Sequence, residues 1–245
     1  MKYLKVPILL FSVIGSTLVF GTLASVTPIL DLFISKMRRQ KIAHRCAILW
    51  GKTIFLLIPG WTTRVIHRHL LPSTKKEKFI MVANHESNAD VFALYALGIQ
   101  FRWIGKKSAF KIPVFGWAGS ACGYIPIERG DQNSHHQALE ESAKMVAAGV
   151  PMFFFPEGTR SKTGEVKDFK LGAFRIAQTE GAFIVPICIS NTRKLLKKGS
   201  ILPGNAEVTL EVMPPFKIGE NEDLSEVAAR TRQMIVNAKS GRDHA

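Results

Sequence analysis

The chain has 245 residues, 47 % of them hydrophobic, and 33 Lys and Arg against 19 Asp and Glu give it a formal net charge of +14. So much apolar material excludes a disordered chain and suffices for a sizeable buried core. Three scattered cysteines, Cys46, Cys122 and Cys188, with no C-x-x-C pair, argue against a disulfide framework and against a cysteine zinc site, and suit a reducing compartment.

Residues 6–30 form a run of 25 without a charge. About 20 apolar residues in a helix cross the hydrocarbon layer, so the run is long enough to span a bilayer or to lie deep in it. It exceeds the ~7–15-residue apolar core of a cleaved signal peptide, so a retained anchor is expected, ended or kinked at Pro28. Residues 36–78 then carry eleven Lys and Arg against one acid, Glu77. The cations directly after the apolar run outnumber Lys2 and Lys5 before it, which places the rest of the chain on the cytoplasmic side of the cytoplasmic membrane, in reach of anionic lipids. Nucleic acid is not an expected partner, because the basic residues neither interleave with stacking aromatics nor fall in a recognisable helix motif. A second apolar stretch, residues 46–61, is broken only by Lys52 and reads as interfacial, completing a helical hairpin.

Beyond Pro72-Ser73 the composition changes, and the boundary is expected there: an anchor with a basic belt over residues 1–72 and a catalytic domain over residues 73–245. Runs rich in β-branched and aromatic residues at 79–83, 101–104, 124–127, 152–155, 183–189 and 208–212 predict strands. Helical spacing occupies 133–148 and 170–180, and a terminal surface helix is expected over 224–238. Alternating strands and helices predict an α/β fold with a mixed, largely parallel sheet covered by helices.

The sharpest chemical signal is Asn84-His85-Glu86-Ser87-Asn88-Ala89-Asp90, at the carboxyl end of the first of these strands. Histidine can take and return a proton near neutrality, and a carboxylate on its other nitrogen fixes the tautomer and supports the imidazolium. Asp90 is close enough in sequence to fold back onto His85. A zinc-protease helix is excluded because Ala89 stands where the second histidine would be. Next, the run Phe153-Phe154-Phe155 breaks into the turn Pro156-Glu157-Gly158-Thr159-Arg160. Such a turn exposes backbone N–H groups beside a guanidinium whose planar fork suits a phosphate monoester, although a Glu157–Arg160 ion pair bracing the turn fits the same residues.

Gly105-Lys106 is not a P-loop, since Gln100 occupies the place of the required glycine and Lys107 that of Ser or Thr. Lys106 and Arg129 read instead as further anion contacts or as a solvated basic face. Val185-Pro186-Ile187 suits either the wall of an apolar channel or a core strand. With no G-x-S-x-G elbow and no cysteine in a nucleophile's setting, a covalent acyl-enzyme is not expected.

These blocks, in this order and spacing, resemble the 1-acyl-glycerol-3-phosphate acyltransferases, the bacterial lysophosphatidic acid acyltransferases, over roughly residues 79–189. The resemblance implies transfer of a fatty acyl chain from acyl carrier protein or coenzyme A to the 2-hydroxyl of lysophosphatidic acid, giving phosphatidic acid, with no cofactor and no metal. By the match, His85 is the general base and Asp90 its orienting partner. Asn84, Lys106, Arg129, Glu157, Gly158, Thr159, Arg160 and Lys170 fall at positions that contribute to the acceptor's site, and Val185-Pro186-Ile187 matches a block near the acyl path. Glu128 stands where aspartate is more usual and Ser108 where glutamate is frequent, which leaves another lysolipid open as acceptor. A non-catalytic lipid-binding protein of the same fold is the reading from a different class.

Overall fold

The computed structural model describes residues 5–197 and 202–243. Its centre is a seven-stranded sheet of β1 (Trp61–Ile66), β2 (Phe79–Ala83), β3 (Arg102–Lys106), β4 (Ile125–Ile127), β5 (Met152–Phe154), β6 (Phe183–Ser190) and β7 (Ala206–Val212), in the order β1-β7-β6-β2-β5-β3-β4. Strands β6, β2, β5, β3 and β4 are mutually parallel; β7 pairs antiparallel with β6, and β1 parallel with β7. The expected mixed, largely parallel sheet is therefore present. Strand β2 is apolar at all five positions because it lies at the centre of the sheet with both faces covered, as parallel strands generally are.

Alternation along the strands separates two apolar cores. Phe79, Met81, Ala83, Val185 and Ile187 face one side, together with Trp50, Ile54, Phe55 and Ile58 from the amino-terminal part of the chain. Ile80, Val82, Ile184 and Cys188 face the other, under helices Gln132–Ala147, Gly172–Thr179 and Leu224–Asp243. The helix expected from residue 133 begins one residue earlier, because Asp131, rather than an Asn or Ser, caps it, its carboxylate accepting the N–H groups of Asn133 at 2.9 Å and Ser134 at 3.3 Å.

The expected division at residue 72 does not survive in the sheet. Strand β1, taken with the anchor in the sequence, pairs along its whole length with β7. The second apolar stretch is likewise part of a longer helix, Lys36–Leu57, which starts inside the basic belt and buries Ala43, His44, Trp50, Gly51, Ile54 and Phe55 against the rest of the molecule. Gly51 permits the contact: a Cβ there would lie 2.7 Å from the Tyr95 ring and 2.9 Å from the carbonyl of Phe92. Arg39 ties the hairpin down, bonding Asp31 Oδ1 at 2.9 Å and the carbonyl of Ala121 at 3.2 Å.

Val6–Leu32 has a mean hydropathy of 2.1 and is long and apolar enough to cross a membrane. It is helical in consecutive α, π and 3-10 segments, the last beginning at Thr27-Pro28, where the missing N–H of proline interrupts the α ladder. Leu10, Phe11, Ile14, Leu18, Val19 and Leu23 are more than half exposed, an apolar surface of the kind soluble monomers rarely leave open.

Candidate active site

The chain leaves β2 at Ala83 and makes a short loop before helix Ala89–Leu94, whose first turn holds Asp90. Asp90 is fully buried, and its Oδ2 accepts three hydrogen bonds: from the backbone N–H groups of Glu86 at 2.8 Å and Ser87 at 2.9 Å, and from His85 Nδ1 at 2.7 Å. A carboxylate so held keeps the proton of a neutral His85 on Nδ1 and leaves Nε2 to act as a base. The ring of Phe155 stacks on the imidazole, with centroids 3.9 Å apart and planes at 17°, which fixes its orientation.

The two strongest sequence motifs interlock through the backbone of His85. Glu157 Oε1 accepts the N–H of His85 at 2.7 Å, and the N–H of Ser161 donates to its carbonyl at 2.7 Å. The other oxygen of Glu157 accepts the N–H of Lys167 at 3.3 Å. Burial pushes the Glu157 carboxyl up, against the opposing pull of those two N–H groups. Asn84 is also buried, and its amide both donates to the carbonyl and accepts from the N–H of Ile189, each at 2.8 Å. Asn84 and Glu157 were expected at the acceptor. Both brace the loop: the Asn84 amide bonds the backbone of Ile189 and, at 3.2 Å, the Glu86 carboxylate, and the two Glu157 oxygens accept the N–H groups of His85 and Lys167.

Of the other expected site residues, Lys106, Arg129 and Arg160 line one cavity with His85, of ≈ 440 Å³. Gly158, Thr159 and Lys170 lie at the turn beside it and do not line it. Gly158 has φ +72, which favours glycine, and the Lys170 ammonium passes 3.2 Å from where a Cβ would be. Val185 and Ile187 are core residues of β6, so that block is strand and not channel wall.

Inward from the cations the cavity is apolar, walled by Phe92, Trp103, Phe110 and Phe115 and closed by Val13 and Phe20 of the amino-terminal helix. Val114, at φ +64, is strained for a β-branched residue, and it wedges against Gly21, where a Cβ would come within 2.6 Å of it. Tyr95 and Tyr124, which also line the cavity, belong to a chain of polar groups that nothing in the sequence singled out. His44 Nε2 lies 3.2 Å from the carbonyl of Ile99 and must donate to it, so Nδ1 accepts from the Tyr124 hydroxyl at 2.9 Å, which in turn lies 3.0 Å from that of Tyr95. Both tyrosine hydroxyls are thus engaged, and the apolar walls suit a hydrocarbon chain.

His44 is held neutral, its pKa lowered to about 3 first by burial and then by the buried Arg102 guanidinium. The unfolded chain binds a proton on this residue below its usual value of 6.5, and the folded chain refuses it until about 3. Stability therefore falls as pH drops through that window, by up to about 1.4 kcal/mol per pH unit from this group. Thermal melts between pH 7 and 4 are expected to show that slope, and His44→Gln to flatten it; an unchanged acid slope in the variant would assign the acid sensitivity to other groups.

The sequence model of the Acyltransferase family matches residues 62–190. The chain is 39 % identical over 162 residues to the chloroplast 1-acyl-sn-glycerol-3-phosphate acyltransferase BAT2 of Brassica napus, an alignment covering 66 % of this chain and 46 % of that protein. It is 31 % identical over 160 residues to the 1-acyl-sn-glycerol-3-phosphate acyltransferase of Escherichia coli, covering 64 % of each. The chain thus spans about half the length of its plant relatives and somewhat under two thirds of the bacterial one. Among solved structures it resembles the 1-acyl-sn-glycerophosphate acyltransferase PlsC from Thermotoga maritima, with a TM-score of 0.81 over 98 % of both chains at 21 % sequence identity.

Proposed function

The chain belongs to the acyltransferase family, and from that premise we propose that it transfers a fatty acyl group from a thioester to the 2-hydroxyl of 1-acyl-glycerol-3-phosphate, yielding phosphatidic acid. One observation carries the reading: the His85–Asp90 pair, three cations and an apolar chamber converge on a single cavity. Lys106, Arg129 and Arg160 suit the acceptor's phosphate, and the chamber behind them suits an acyl chain. The names of the relatives in Brassica napus and Escherichia coli point to the same acceptor.

His85 Nε2 takes the proton of the acceptor hydroxyl as its oxygen attacks the thioester carbonyl. Collapse of the tetrahedral species breaks the C–S bond, and the imidazolium, stabilised by Asp90, returns the proton to the departing thiolate. No acyl-enzyme is needed, because a thioester is already activated and positioning supplies much of the remaining acceleration. The exposed apolar face of Val6–Leu32 and the half-exposed Trp117 would seat the cavity at a bilayer, where acceptor and product reside, with the sheet on its cytoplasmic side.

Purified full-length protein supplied with acyl carrier protein and coenzyme A thioesters and a panel of lysolipids tests the proposal. Thiol release that depends on lysophosphatidic acid is the expected result, and equal or faster turnover with a lysolipid lacking a phosphate monoester would overturn the acceptor assignment. Arg160→Lys probes the same site at finer grain. A guanidinium grips two phosphate oxygens, whereas an ammonium offers a point charge, so the substitution keeps the charge and loses a fork. A charge-assisted hydrogen bond contributes ~1.5–3 kcal/mol, so acceptor affinity is expected to weaken roughly ten- to hundredfold with the donor's KM unmoved. A raised donor KM with an unchanged acceptor KM would move Arg160 to the carrier side.

A further inference from the structure

A second, open groove of ≈ 1400 Å³ lies beside the catalytic loop, between residues 161–168, the short helix Thr192–Leu195 and the carboxyl half of helix Leu224–Asp243. Seven lysines and arginines line it against four acids. Internal pairing takes cations as well as acids: Glu86 is buried and paired with Lys239, Arg232 lies 3.6 Å from Asp168 and bonds the carbonyl of Val166, and Glu157 holds the backbone of His85 and Lys167, which leaves Lys162, Lys167, Arg193, Lys194 and Lys197 against Glu165. Lys162, Lys194 and Lys197 are exposed, so the groove presents a strongly positive face to solvent.

Three features decide what such a face receives. It carries no aromatic ring, and its apolar lining is Val166 and Val236, so a purine has nothing to stack on and a small molecule little to be enclosed by. One of its walls is the carboxyl half of helix Leu224–Asp243, which packs on the sheet face opposite the amino-terminal hairpin. And Glu86, which lines it, directly follows His85, so an occupant sits next to the base without filling the cavity.

We infer that this groove is the docking surface of an acidic carrier protein that presents the acyl chain as a thioester on a flexible arm. The inference rests on the acyl-transfer reading above and narrows its donor. Charge on both partners steers encounter and fixes orientation, with an effect that salt screens.

The test is the triple charge reversal Lys162→Glu, Lys194→Glu, Lys197→Glu in the full chain, with its melting temperature as the control for folding. The KM for acyl carrier protein thioester is expected to rise roughly tenfold or more and to lose its salt dependence, while kinetics with acyl-coenzyme A and flotation with anionic vesicles stay as in the wild type. An equal rise in KM for acyl-coenzyme A would mean that the groove holds a phosphate common to both arms, loss of flotation would mean that it faces lipid, and no change would mean that nothing docks there; each overturns the inference. Surface plasmon resonance with the unacylated carrier protein reads docking without turnover. Binding that the reversal abolishes would uphold the docking surface even if transfer to lysophosphatidic acid failed, and a wild type that does not bind the carrier would sink it even if transfer succeeded.

Discussion

His85→Ala is expected to lower the rate of acyl transfer by ~10²–10⁴-fold, the share that a positioned general base supplies, while the protein melts at nearly the wild-type temperature. The fold should tolerate the change because Asp90 keeps its backbone partners, the N–H groups of Glu86 and Ser87, when the imidazole is gone. The backbone of residue 85 likewise keeps its bonds to Glu157 and Ser161, which do not involve the side chain. Asp90→Asn should lose most of the rate as well, since an amide cannot support the imidazolium and its NH2 group opposes an Nδ1 proton. Steady-state kinetics with saturating acceptor, beside calorimetry, decides the matter: near-normal turnover in well-folded His85→Ala would remove the histidine from the chemistry.

The second large effect concerns the hairpin. On charge and hydropathy alone, residues 1–61 would come away and leave a soluble remainder that ignores vesicles. The packing predicts a different outcome, because Trp50, Ile54, Phe55 and Ile58 belong to the same core as β2, β6 and β7. Burying Ile54 and Phe55 alone contributes ~3–6 kcal/mol, a large part of the ~5–15 kcal/mol by which a domain is usually stable. Residues 62–245 expressed alone are therefore expected to aggregate or to melt without cooperativity. A soluble fragment with a sharp thermal transition would show that the hairpin is a separable anchor after all. Polar replacement of Phe11, Ile14 and Leu18, each more than half exposed, should leave the melting temperature in place and weaken flotation with vesicles, which separates membrane contact from folding.

Several features of this protein follow from local sequence alone. An uncharged run long enough for a bilayer, a strand such as β2 whose every residue is apolar, and a histidine five residues before an aspartate at a strand's end all depend on neighbours along the chain. Periodicity and turn chemistry report such features directly. Even the cations of the cavity, Lys106, Arg129 and Arg160, were legible, because each ends or follows a strand where parallel sheets gather their functional residues.

What the tertiary structure alone decided is the direction in which polar side chains point. Asn84 and Glu157 occupy motif positions that read equally well as substrate contacts, but their partners lie 105 and 72 residues away, on strand ends that only the sheet brings together. Burial beside those backbone groups turned both into braces, since a buried amide or carboxylate left without partners is costly. The same holds for His44, set 80 residues from Tyr124 and without a motif, and for β1, whose partner β7 follows it by well over a hundred residues. Local sequence specifies which residues can do chemistry or enter a strand; contacts across the chain determine which of them face the cavity and which hold it in shape.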